Sequence, residues 1–259
     1  MMVETVGIRS RTRALETVTL PLQSLSEHPP VPVKWPVMYQ RWDSLTFLHW
    51  RYEADVIRRL LPPGLELDTF DGAAWIGLTP FLLTDLRPPL CPPVPWISRF
   101  PEMNVRTYVR GRDGERGIWF FTLEAGRILA VLGARLSYGL PYRWASMRVR
   151  QTGKKIEYAS ERHFLRGRAH AVIVRNSAIQ PGEQELFLTA RFRLYTKLAG
   201  RLAFAQVDHP PWPLESADAL QLEQNVIEYS GVPVPSGRPL IHFSPGVSVR
   251  VGRPKLVRP

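Results

Sequence analysis

Lysine is scarce in this chain of 259 residues. Lys34, Lys154, Lys155, Lys197 and Lys255 are all there is, so the formal charge of +11 is carried by arginine. Cysteine is scarcer still. A lone Cys91 excludes an intramolecular disulfide and a thiolate metal cluster, and it fits a reducing cytoplasm. No apolar run reaches the roughly 18 residues of a membrane-spanning helix, and the first twenty residues lack the apolar core of a signal peptide. The expectation is a cytoplasmic protein without membrane association. A glycine-rich phosphate loop, a GxSxG elbow and an HExxH helix are also missing, so nucleotide, α/β-hydrolase and zincin chemistry find no support and no cofactor is expected.

The positive charge does not make a nucleic-acid protein. That reading needs basic residues gathered on one stripe or helix, whereas here arginines stand singly through apparent strands. Only Arg250, Arg253, Lys255 and Arg258 resemble a basic tail. The charge is read as surface charge that keeps an apolar protein soluble.

Residues 1 to 37 mix charge, Ser, Thr and Pro without periodicity, and are expected to form a flexible extension ending in the stiff HPPVPVKWP run. One domain is expected over 38–250, with 251–259 as its basic tail. WDSLTFLHWRY is rich in aromatic and β-branched residues and predicts a strand; EADVIRRLLPPG predicts a short helix that Pro62, Pro63 and Gly64 stop. FDGAAW, GRDGERG, RQTGKKIEY and IQPGEQE then place glycine between apolar runs, as hairpins do. Helices are expected near 125–136, 183–190 and 214–228. Strands outnumber helices and no βαβ rhythm appears. The pattern predicts a β-rich α+β fold, a curled, barrel-like antiparallel sheet with a few covering helices.

The most informative segment is FPEMNVRTYVRG. Strand alternation puts Met103, Val105, Thr107 and Val109 on one face and Glu102, Asn104, Arg106, Tyr108 and Arg110 on the other. Such a polar face is either solvated or the wall of a cavity. The following GIWFFTLEA has large aromatics on both faces, which favours the cavity.

These runs, with GARLSYGLPYRWASM, LTARFRLYT and VDHPPWPL, resemble the YqjF-like family, number 2071 among domains of unknown function, of the acetoacetate decarboxylase-like superfamily. With FLHWRY and GLELDTFDGAAWIG the resemblance covers about residues 38 to 250. It implies the decarboxylase-like barrel fold with a small-molecule pocket. In the decarboxylases a strand glutamate and a glycine-arginine turn precede a Gly-aromatic-Pro-Lys-Lys motif, whose first lysine forms a Schiff base with the substrate ketone. Carried over, Glu102 matches the glutamate, Gly133-Ala134-Arg135 the turn and Gly139-Leu140-Pro141-Tyr142-Arg143 the lysine motif. Tyr142 therefore stands where the nucleophilic lysine would be, and Arg143 where its neighbour would be. Neither phenol nor guanidinium forms a Schiff base. Arg143 or Arg106 could instead grip a carboxylate or phosphate, with Tyr142 donating to a carbonyl oxygen.

His49 in FLHWRY and His209 in VDHPPWPL are candidate acids or bases if they face the pocket, and otherwise structural histidines. A zinc site joining them to Asp208 or Glu102 lacks the usual short His spacing, so no metal is expected. The catalytic candidates are Glu102, Tyr142 and His209; the ligand-binding candidates are His49, Asn104, Arg106, Tyr108, Arg135 and Arg143. The leading expectation is a pocket for a small carbonyl- or carboxylate-bearing metabolite without amine catalysis. One alternative is a decarboxylase, dehydratase or aldolase using Glu102 with His49 or His209. Another is an interaction protein using its basic surface and the proline-rich loop 88–95. A homo-oligomer is compatible with the sequence.

Overall fold

The computed structural model describes residues 25–257. Strands dominate. In chain order they are β1 (Met38–Tyr52), β2 (Leu65–Leu67), β3 (Ala74–Arg87), β4 (Phe100–Gly111), β5 (Arg116–Ala125), β6 (Tyr142–Thr152), β7 (Lys155–Arg162), β8 (Arg168–Ala178), β9 (Arg193–Leu198), β10 (Arg201–Asp208), β11 (Glu215–Gln224), β12 (Leu240–Val251) and β13 (Lys255–Leu256). Helices α1 (Ala54–Arg58), α2 (Ile128–Tyr138) and α3 (Glu183–Thr189) interrupt them.

All thirteen strands form one sheet in the order β13-β10-β9-β5-β6-β7-β8-β11-β12-β1-β3-β4-β2, and the further pairings β4–β5 and β10–β12 close it twice. Strands β5, β6, β7, β8, β11, β12, β1, β3 and β4 make one closed circuit; β5, β9, β10, β12, β1, β3 and β4 make a second. The two share a wall of β12, β1, β3, β4 and β5. Pairing is antiparallel except where β5 meets β6 and β9 in parallel. Closure leaves few free edges, which stabilises a sheet of this size against pairing with other chains.

The shared wall explains why β4 is buried almost throughout, including its polar residues. Met103 and Val105 enter the core of the larger circuit with Leu48, Ile76, Ile156 and Phe243. Glu102, Asn104 and Arg106 face the interior of the smaller one. The alternation expected from the sequence is present, and neither face is in water.

Two local expectations are corrected. Residues 214–228, read as a helix from ESADALQLEQ, form β11 and a 3-10 turn at Glu228–Ser230. Here the helix-favouring Ala, Leu, Glu and Gln are overridden by pairing to β8 and β12, with β11 absorbing two register shifts against β8. IQPGEQE is the lead into α3, with Gly182 as N-cap, and not a hairpin. FDGAAW and RQTGKKIEY are tight reversals: Phe70 bridges Ala73 across Asp71 and Gly72, both at positive φ, and Thr152 pairs with Lys155.

Of the expected extension, residues 1–24 lie outside the described residues. Val33 is buried and its amide donates to the Asp208 carboxylate at 3.1 Å. At the other end, β13 pairs Leu256 and Lys255 with Ala203 and Phe204, and residues 258–259 lie outside the described residues. Among the described residues no helix is long and apolar enough to cross a membrane.

Candidate active site

The smaller circuit encloses a cavity of about 110 Å³. At roughly 10–15 Å³ per water-sized occupant, it takes a molecule of about seven to eleven non-hydrogen atoms. Trp42, Phe81, Phe120, Leu123 and Trp212 supply an apolar side, and α2 closes one end with Ala134 and Tyr138. The lining also holds polar side chains, Thr79, Glu102, Asn104, Arg106, Thr189 and Arg191, and His209 sits among its aromatic residues.

The GLPYRW turn delivers Tyr142 to this space. Gly139 ends α2 in the left-handed region at φ 66°, and a Cβ there would overlap the Lys197 carbonyl oxygen. Glycine is needed on both counts. Leu140, Pro141 and Tyr142 make a tight turn, the Tyr142 amide donating to the Leu140 carbonyl at 2.8 Å and the Leu123 amide to that of Pro141 at 3.2 Å. Tyr142 then points inward and donates its hydroxyl to Oε2 of Glu102 at 3.0 Å.

Glu102 is 4% exposed. Burial raises its pKa to about 8 despite the opposing Tyr142 hydrogen bond, so at neutral pH it is mainly the neutral acid. Such a carboxyl accepts from Tyr142 while keeping a proton to give. Burial and the neighbouring Glu102 carboxyl push the Tyr142 phenol well above its ordinary value, so it acts as a donor and not as a phenolate.

Cations gather farther along the same wall. Arg191 is fully enclosed; its Nε donates to the Phe187 carbonyl and its Nη1 to Asp68 at 2.7 Å. Asp68 also pairs with Arg110 at 2.9 Å and Arg116 at 3.6 Å. One carboxylate thus serves three guanidiniums, of which Arg191 lines the cavity, and Arg106 adds a second cation to that lining. Several buried polar atoms of the lining have no protein partner: Nη2 of Arg191, Nε of Arg106, Oδ1 of Asn104 and Oγ1 of Thr79. Each such atom costs about 1–3 kcal/mol unless a ligand or water meets it.

His209 stands in the aromatic part of the lining, 4.7 Å from the Phe192 ring and 4.9 Å from Trp212. Its Nδ1 donates to the Pro210 carbonyl at 2.8 Å, and burial lowers its pKa. Hydrogen bonds to the backbone of Pro210 and Arg191 oppose that shift, since they favour the protonated ring.

Glu102, Tyr142, His209, Asn104 and Arg106 therefore come together as the sequence suggested. The remaining candidates do not line the cavity. Tyr108 and His49 form a buried layer behind it, joined at 2.6 Å from Nε2 to the phenol oxygen, with Tyr108 donating to the Leu188 carbonyl. Burial lowers the His49 pKa well below its usual value, which makes it a packing histidine. Arg135 and Arg143 are exposed. For Arg143 the cause is strand geometry: with Tyr142 directed inward, the next residue of β6 must face out. Lys197, the one lysine that could have approached by another route, is exposed on β9, and so are the other four. The sequence reading missed Arg191, Thr79 and Trp42. LTARFRLYT carries an alternating Arg191 and Arg193, but nothing local says which face is enclosed.

The family model described as "Uncharacterized conserved protein", domain-of-unknown-function family 2071, matches residues 39–248. The chain belongs to that family. It is 40% identical over 212 residues to the uncharacterized protein YqjF of Bacillus subtilis, spanning 80% of this chain and 87% of that one. Among solved structures, acetoacetate decarboxylase from Legionella pneumophila superposes with a TM-score of 0.64 at 15% identity, covering 94% of this chain and 93% of the other. The enduracididine biosynthesis enzyme MppR complexed with pyruvate superposes at 0.62, also at 15% identity, over 85% and 90%. These likenesses establish the acetoacetate decarboxylase-like fold.

Proposed function

We propose that the cavity binds a small carboxylate that also carries a carbonyl group, a short 2-oxo or 3-oxo acid, and holds it without a covalent amine adduct. The observation that carries this reading is the set of unpartnered donors, Arg106 Nε and Arg191 Nη2, on the cationic wall of an otherwise apolar cavity. A carboxylate satisfies both guanidiniums and offsets the excess positive charge around Asp68. The carbonyl oxygen then lies toward Glu102, whose acid proton is free to donate while its carboxyl accepts from Tyr142. The pyruvate in the MppR complex supports the ligand class. Imine chemistry is disfavoured because all five lysines are exposed outside the cavity.

A second reading is favoured by the Glu102 pKa of about 8. A buried carboxyl that titrates near neutrality and touches a phenol is suited to move a proton at the α-carbon or carbonyl oxygen of such an acid, giving enolisation or dehydration. His209 is the candidate partner. The compartment that suits the exposed single Cys91 is the reducing cytoplasm.

The test is calorimetry with pyruvate, acetoacetate and size-matched neutral ketones and simple carboxylates. Oxo acids should bind best. Arg106→Gln should lower their affinity by about 1.5–3 kcal/mol, the scale of a hydrogen bond to a charged group, with less effect on the ketones. Equal binding of neutral and anionic compounds by both proteins would sink the reading. Deuterium exchange at the α-carbon, followed by NMR, distinguishes the enzyme from the binder.

A further inference from the structure

Helix α2 is apolar on two faces. Val131 and Tyr138 are buried and Ala134 lines the cavity, whereas Ile128, Leu129, Leu132 and Leu136 point to solvent, Leu136 with 82% of its surface exposed. A helix at the surface of a soluble body ordinarily keeps its outer face polar. Beside it lies the proline-rich loop that follows β3. Arg127 at the start of α2 donates from Nε to the Trp96 carbonyl at 2.8 Å, which fixes the two together. That loop exposes Leu90 completely and Trp96 at 80%.

The charged residues carried by these segments have one sign, the nearest acid before the loop being Asp85, which is paired with Arg87. Arg127 and Arg135 on α2, Arg99 just after the loop and Arg143 at the start of β6 are exposed, and no Asp or Glu occurs from Arg87 to Pro101 or from Gly126 to Ile156. Partial burial lowers the Arg143 pKa, and the charges of Arg135 and the buried Arg162 add to that shift. A second copy docked face to face would oppose two sets of arginines with no carboxylate between them. Aromatic and aliphatic side chains ringed by arginine instead match the boundary of a bilayer, where headgroup anions meet the cations and the acyl region takes Leu and Trp.

We propose that α2 and the 88–97 loop are a docking face for an anionic lipid surface. The face does not span the bilayer. It lays the outer side of α2 into the headgroup layer, and because the inner side of α2 closes the cavity, docking sets that end of the cavity against the membrane. The proposal stands apart from the identity of the cavity ligand.

The test uses the full chain with vesicles of mixed phosphatidylglycerol and phosphatidylcholine, and with pure phosphatidylcholine, at low and high salt. Co-sedimentation should occur with the anionic vesicles, weaken with salt and be nearly absent with the neutral ones. Arg127→Gln and Arg135→Gln should each lower partitioning roughly fivefold, the effect of one basic residue near an anionic surface. Leu132→Ser with Leu136→Ser should abolish it, while thermal melting checks that these variants stay folded. Equal binding to both vesicle types, or binding that the leucine pair does not change, overturns the proposal. So does a protein that ignores both vesicles, whether it is a monomer or a dimer in sedimentation velocity; a dimer dissociated by the leucine substitutions would reassign the face to a second copy.

Discussion

Replacing Glu102 by Gln should change how stability depends on pH more than it changes stability itself. In the folded protein the Glu102 pKa is raised from 4.5 to about 8 by burial, whereas in the unfolded chain it is that of an ordinary carboxyl. Between those values the native state holds a proton that the unfolded state has released, so this group lowers stability as pH rises; above about pH 8 the loss stops growing but persists. At about 1.4 kcal/mol per pH unit, the window amounts to on the order of 5 kcal/mol. Glutamine keeps the shape and can still accept from Tyr142 but does not titrate. Below the window wild type and variant should be nearly equal; above it the variant should be the more stable by several kcal/mol. The buried histidines act with the opposite sign. His49, His209 and His242 have lowered pKa values, so they lower stability as pH falls below about 6.5; the difference between the two proteins cancels that contribution. Urea denaturation across the window measures the difference directly. A pH-independent difference would refute the burial argument, as would a Glu102 carboxyl ¹³C resonance that titrates near the ordinary carboxylate value.

Tyr142→Phe should raise the Glu102 pKa further, since the lost hydrogen bond is the contribution that lowers it, and should cost about 0.5–1.5 kcal/mol of stability; an unchanged carboxyl titration would deny the contact. Gly139→Ala should destabilise by more than about 2 kcal/mol in chemical denaturation, combining left-handed strain with overlap on the Lys197 carbonyl, and a neutral result would mean α2 ends differently. A chain beginning at Met38 should be less stable than one beginning at Leu25 by about 1.5–3 kcal/mol, the value of burying Val33. Equal melting of the two would return that segment to a dispensable extension.

How much of this was legible in the sequence depended on whether a local rule decided the outcome. The period-two pattern of FPEMNVRTYVRG is local, and it separated Glu102, Asn104 and Arg106 from Met103 and Val105 correctly. The same rule applied to Tyr142 and Arg143 would have sent them to opposite faces. Residues 214–228 were misread because composition favours helix, while the pairing that makes β11 comes from strands distant in sequence. Arg191 was hidden for a related reason. Its role arises from Asp68, 123 residues away, and from closure of β9 onto β5.

The claim that the cavity grips an oxo acid through its arginines is tested most directly by a crystal structure of the protein grown with pyruvate. The carboxylate should lie within hydrogen-bond reach of Arg106 and Arg191 and the carbonyl oxygen toward Glu102 and Tyr142, with no covalent link to any lysine. A cavity filled only by ordered water bridging those four side chains, or pyruvate joined to a lysine, would contradict it.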